Sequence, residues 1–129
     1  MKRSQNKSSP DPSRIDLSRK RLGDYGERLA AKWYEAQGFT VLARQWKTAG
    51  GELDLVLVDC DTIVFCEVKV RTSDAFGSPL ESVTHRKQQR VRTAAFSYLR
   101  MEEHPLRPNV RFDVASVRGS KVEIYESAF

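Results

Sequence analysis

Two runs of strand-forming residues around a short acidic turn, GGELDLVLVDCDTIVFCEVKVR at Gly50–Arg71, restrict this chain more than any other segment. ELDLVLV and TIVFCEVKVR are rich in Val, Ile, Leu and Phe, and the DCD between them supplies turn residues, so an antiparallel hairpin is predicted. Side chains alternate along a strand. That puts Glu52, Asp54, Val56 and Val58 on one face of the first strand and Leu53, Leu55 and Leu57 on the other. In the second strand Ile63, Phe65, Glu67, Lys69 and Arg71 share a face. A hairpin lays the start of one strand beside the end of the next, so Glu52 and Asp54 are expected next to Glu67 and Lys69. Charges gathered inside apolar runs are costly unless something joins them.

The flanking segments give the hairpin a setting. FTVLARQW, just upstream, reads as a third strand of a meander. Leu22, Tyr25, Leu29, Trp33 and Ala36 recur at helical spacing, Gly38 stands where a helix C-terminal glycine belongs, and Glu27 falls on the flank of that stripe. Downstream, SPLE offers Ser78 as N-cap and Pro79 at the first helical position. A helix is predicted from there to about Met101, with a break near Thr84. It carries Leu80, Val83, Val91, Ala94, Ala95, Tyr98 and Leu99 inward, with Lys87 on that stripe and Arg86 and Arg90 off it. RFDVASV, RGS and KVEIYE read as a closing hairpin with Gly119 in its turn. The order is αβββαββ, an α/β domain with a mixed central sheet flanked by helices.

Charge divides the chain in two. Residues 1–22 hold seven Lys or Arg against two Asp, and residues 23–129 hold fifteen of each sign, so the whole net charge of +5 lies at the N-terminal end. Residues 1–20, with Pro10, Pro12 and scattered serines, are expected as a flexible basic leader, and 21–129 as the folded domain. Between Ser82 and Met101 there is no acid, while Arg86, Lys87, Arg90, Arg92 and Arg100 fall there, a footprint for a polyanion. Cys60 and Cys66 are too few for a zinc site, and a buried thiol is the expected state of Cys66. No apolar run is long enough to span a bilayer, and the leader lacks the apolar centre of an export signal. A cytoplasmic protein with no membrane partner is the expectation.

The carboxylates at the open end of the hairpin suit a hard divalent cation. Oxygen ligands from Asp54 and Glu67 fit Mg²⁺ or Mn²⁺, which keep waters and meet phosphate oxygens directly. Lys69, two residues beyond Glu67, can orient or deprotonate a water and offset charge growing on a phosphate. The order Asp, about a dozen residues, Glu-x-Lys is therefore a recipe for phosphodiester hydrolysis. The rival reading is a surface Glu67–Lys69 pair beside a solvated Asp54. Glu52 reads equally as a supporting acid or a strand-start charge, and Arg71 as a phosphate contact or a strand-end cap. Lys87, pointing inward, needs an acidic partner. Asp113 reads as structural, Trp46 as a core residue before a base-stacking one, and neither His85 nor His104 receives a role.

GERLAAKWYEAQGF, GGELDLVLVD, VFCEVKVRTSDAFGSPLESVTHRKQQR and RFDVASV, in this order, resemble the bacterial YraN family across about residues 21–126. That family is itself similar to archaeal Holliday-junction resolvases and the wider PD-(D/E)xK nucleases. The resemblance implies a restriction-endonuclease-like αβββαβ core. It also implies Asp54 and Glu67 as Mg²⁺ or Mn²⁺ ligands, Lys69 as catalytic lysine and Glu27 as a supporting acid. Leu53 stands where the superfamily's name has proline. The expected partner is nucleic acid, DNA ahead of RNA and branched DNA among its forms, bound through Arg71, Arg86, Lys87 and Arg90. A homodimer is compatible with this reading. The alternative is a nucleic-acid-binding module that keeps the fold and does not cleave.

Overall fold

The computed structural model describes residues 12–72, 79–102 and 109–129, with side chains from Ser18 onward. Its elements are α1 (Pro12–Ala36), β1 (Thr40–Thr48), β2 (Gly51–Asp59), β3 (Thr62–Val70), a short 3-10 turn at Pro79–Ser82, α2 (His85–Met101), β4 (Asn109–Arg118) and β5 (Lys121–Tyr125). They form a five-stranded sheet in the order β1-β2-β3-β4-β5. Only β3 and β4 pair in parallel; the other neighbours are antiparallel. The α/β class and the mixed sheet between helices are as expected from the sequence and agree with an αβββαβ core. Of the segment expected as a flexible leader, residues 12–20 are helical and continue α1, while 1–11 lie outside the described residues. Nothing between Pro12 and Leu22 breaks a helix, and proline suits its first position. Ser78 and His104 also fall outside.

The two helices cover opposite faces. Ala30, Ala31 and Tyr34 of α1 pack on Leu55, Leu57, Val64, Cys66 and Ala115. Val91, Ala94, Ala95 and Tyr98 of α2 pack on Leu53, Val56, Ile63 and Phe65. The inward stripe of α1 is therefore rotated from the one expected: Leu22 is exposed and Ala36 faces water, while Ala30, Ala31 and Tyr34 are fully buried. Close approach explains the rotation. A Cβ on Gly26 would stand 2.4 Å from Val70 Cγ2, so glycine lets the helix lie directly on β3, as bulkier side chains cannot. Its neighbour Glu27 is thereby drawn to the sheet and is 9% exposed.

Helix ends follow local chemistry. Gly38, at φ +99, closes α1: its N–H bonds Glu35 O at 3.0 Å, and the Phe39 N–H bonds Tyr34 O at 3.0 Å. Thr84 caps α2, its Oγ1 accepting the Lys87 N–H at 3.2 Å, which places the break expected there. Asp113 is structural: fully buried, it accepts the Tyr34 hydroxyl at 2.6 Å, the Arg111 guanidinium at 2.9 Å and the Ser127 N–H at 3.0 Å. Trp46 sits edge-on to Tyr98 in the α2-side core. Cys66 is buried, Cys60 exposed, and both are free thiols.

Candidate metal and nucleic-acid site

The site begins where two strands stop pairing. The β2–β3 ladder runs from Asp59↔Thr62 to Leu55↔Cys66. Beyond it the Asp54 carboxylate, in place of backbone, accepts the Val68 N–H at 2.9 Å. At this point β2 turns over: Leu53 belongs to the α2-side core and Leu55 to the α1-side core. The expected sharing of one face by Leu53, Leu55 and Leu57 is thus corrected, because a strand whose ladder ends is released from strict alternation. Glu67 follows on β3, 2% exposed, on the face that α2 covers.

Lys87, in the first turns of α2, reaches this carboxylate. Its Nζ lies 2.9 Å from the buried Glu67 Oε2, an ion pair that gives this carboxylate its countercharge. Two glycines make the approach feasible. A Cβ on Gly51 would stand 3.0 Å from Arg90 O, and one on Gly50 would stand 3.1 Å from Thr93 Cγ2. The bare β1–β2 turn can therefore press on α2 and hold the start of β2 beside Lys87.

The electrostatics follow from burial. Asp54 is pushed up to about 8, first because it is removed from water and then because the Glu67 carboxylate is its neighbour. Glu27 is raised by burial against the opposing hydrogen bond from Gln45. Burial works to lower the Lys87 ammonium, but Glu67, with Asp54 and Glu52 behind it, outweighs burial and raises its pKa.

The remaining candidates stand at different distances from this centre. Lys69 lies two residues past Glu67 on a regular stretch of β3 opposite Ser116, half-buried and without an ion pair among the described residues. Glu52 is exposed and pairs across the strands with Lys47. The Arg71 N–H extends the β3–β4 ladder to Val117 O at 2.7 Å. Arg86 and Arg90 are exposed on α2 beside Lys87. Two bases of the acid-free stretch lie over aromatic rings: the Arg92 guanidinium 4.7 Å above the Phe112 ring, and Arg100 5.2 Å from that of Phe96. A cleft between α1 and the β1–β2 hairpin is lined by Asp24, Glu27, Gln45, Lys47, Glu52 and Asp54.

Among the described residues, no three Asp, Glu, His or Cys side chains gather closely enough to cage a metal unaided. Asp54 and Glu67 still fit a hard cation. Both are oxygen donors, their burial side by side raises the cost of carrying two negative charges, and Mg²⁺ ordinarily takes one or two carboxylates with the rest of its shell from water and phosphate. Asp24 and Gln45 were not singled out in the sequence. Asp24 was accessible there, three residues before Glu27 and so on the same helix face.

The profile of uncharacterised protein family UPF0102 matches residues 26–117, which include the hairpin, Glu27, Glu52 and Asp54 of the cleft, and α2. The chain belongs to this family. The resemblance to the YraN family and this match name the same group. Among UPF0102 relatives, one from Pseudomonas putida is 44% identical, covering 78% of this chain and 81% of the relative. Another from Beutenbergia cavernae is 48% identical over 74% of this chain and 80% of the relative. A third, from Acidothermus cellulolyticus, is 41% identical over 87% and 96%. These relatives are named for the family alone, so function rests on the chemistry of the site. Among the described residues, no helix is long and apolar enough to cross a membrane.

Proposed function

We propose that this UPF0102 protein is a Mg²⁺- or Mn²⁺-dependent endonuclease-like hydrolase of phosphodiester bonds in DNA. The observation that carries the reading is Asp54 beside Glu67 at the splayed end of a hairpin, two buried carboxyl groups with the Lys87 ammonium 2.9 Å from Glu67 Oε2 as the ion-pair partner. Two acids and no base at such a place would form only a cation site. Here Lys69 and Lys87 stand beside them, with Arg86 and Arg90 exposed along the same helix.

Asp54 and Glu67 would hold the cation, which when bound polarises a phosphate oxygen and offsets charge growing on it. The Lys69 ammonium orients the attacking water and offsets the charge that grows on the phosphoryl oxygens or, as the amine, takes the water's proton. Glu27 adds a hydrogen-bond acceptor across the cleft and orients water. Lys87, Arg86, Arg90 and Arg71 meet backbone phosphates, which positions the strand without reading its sequence.

The test is cleavage of a panel of duplex, flap, four-way-junction and RNA substrates with Mg²⁺, with Mn²⁺ and with EDTA. Cation-dependent cleavage of DNA supports the proposal. Binding of DNA without cleavage under all three conditions overturns it in favour of a non-catalytic binding module.

Lys87 gives a second check. In the metal-free protein its ammonium is the countercharge of a buried carboxylate, so Lys87→Met is expected to lower the melting temperature in EDTA. Mn²⁺ takes over that countercharge and should recover most of the loss. An equal drop with and without Mn²⁺ would make Lys87 a packing residue. Loss of one phosphate contact should also reduce the salt slope of DNA binding by about one.

A further inference from the structure

Gln45, on the edge strand β1, has left-handed backbone at φ +48, and among the described residues no other non-glycine residue within a strand does. It stands where β1 would face Asp54: the ladder passes from Arg44↔Leu55 to Trp46↔Leu53 on either side of it. The strained backbone directs its side chain to α1, where Nε2 donates to Glu27 Oε1 at 2.9 Å and to Asp24 Oδ1. Ionised carboxylates accept and do not donate, so both amide N–H groups are used and the amide has one orientation. Lys20 meets Asp24 from the other side at 3.3 Å.

From this geometry we infer that Gln45 is a positioning residue that holds the Glu27 carboxylate in the cleft towards Asp54. The inference rests on the reading of Asp54 and Glu67 as cation ligands. A link between β1 and α1 needs no left-handed residue, since an apolar contact from ordinary strand backbone would serve. Left-handed backbone in a side chain other than glycine, asparagine or aspartate persists where its surroundings demand it, and such residues cluster at functional sites. Here the demand is visible, because Asp24 and Glu27 are like charges three residues apart on one helix face and the amide stands between them. Without the amide their repulsion turns Glu27 away from the cleft.

The decisive substitution is Gln45→Gly, because glycine accepts φ +48 freely, so the side chain with its amide is lost without added backbone strain. Gln45→Met keeps chain length and strain while removing the donors, and decides the matter should the glycine variant fail to fold. Both are expected to weaken Mn²⁺ binding, measured by calorimetry, about tenfold, the lower end for residues that orient a metal site. Glu27→Ala should weaken it by a similar factor, and adding Gln45→Gly to Glu27→Ala should cost nothing more. A purely structural Gln45 would lower the melting temperature and leave that coupling at zero. Wild-type Mn²⁺ affinity in both Gln45 variants, beside a large loss in Asp54→Ala and Glu67→Ala, overturns the inference alone. Unchanged affinity in Asp54→Ala and Glu67→Ala, or no Mn²⁺ binding by the wild type, overturns the cation reading and this inference with it.

Discussion

Asp54→Asn is expected to stabilise the metal-free protein at pH 8 and, in the same step, to remove the Mn²⁺ stabilisation and DNA cleavage proposed for the wild type. Asparagine keeps a carbonyl oxygen to accept the Val68 N–H, so the splayed hairpin end retains its hydrogen bond. What disappears is a carboxylate that burial and Glu67 push up to about 8, against an ordinary value of 3.8. The sign follows from proton binding. Between about pH 4 and pH 8 the folded wild type holds a proton at Asp54 that the unfolded chain has released, so stability falls as pH rises through this window. One such group changes stability by at most about 1.4 kcal/mol per pH unit. Melting curves in EDTA from pH 5 to pH 8.5 should therefore slope downward for the wild type and run flatter for Asp54→Asn. Mn²⁺ at about a hundred times its Kd should add about 2.7 kcal/mol to the wild type and little to the variant. An identical downward slope in both proteins would assign the titration to another group and remove the electrostatic basis of the site.

Much of this arrangement was legible in the chain. The two strand-forming runs and the tight turn at Cys60–Asp61 set a hairpin register that brings Asp54 to Glu67 whatever packs on the sheet. Helix α2 was legible through the regular apolar spacing from Val91 to Tyr98, although the sequence started it at Pro79, where the structure has a 3-10 turn before the α-helix that Thr84 caps. The rotation of α1 was not. A stripe of Leu, Tyr and Trp is the more hydrophobic face, and only the sheet surface reveals that Gly26 must lie against Val70. Nor was the turnover of β2 at Asp54, since alternation assumes an unbroken ladder, and this one ends at Leu55. Gln45 was hidden for the same reason, because nothing in ARQW marks a left-handed residue. Two of the missed features, the turnover of β2 at Asp54 and left-handed Gln45, stand opposite each other across the β1–β2 ladder.

Lys69 separates an enzyme from a binding module. It lies past Glu67 on β3, half-buried, and forms no ion pair among the described residues, whereas Lys87 already neutralises Glu67. Lys69→Ala should therefore fold normally and bind Mn²⁺ through Asp54 and Glu67 as the wild type does. It should also keep its grip on DNA through Arg86, Lys87 and Arg90, weakened by no more than one phosphate contact. Cleavage alone should fall, by about a hundredfold or more, because a group that moves a proton or faces developing charge acts mainly in the transition state. The pattern to look for is a lower kcat at nearly constant KM, measured beside filter binding on the same substrate. Lys87→Met should divide differently, with weaker DNA binding and a smaller loss in kcat. If Lys69→Ala cleaves at the wild-type rate while Lys87→Met loses its turnover, the proton-handling lysine comes from helix α2 and not from strand β3. The cation site would then be served by the ammonium that already rests on Glu67.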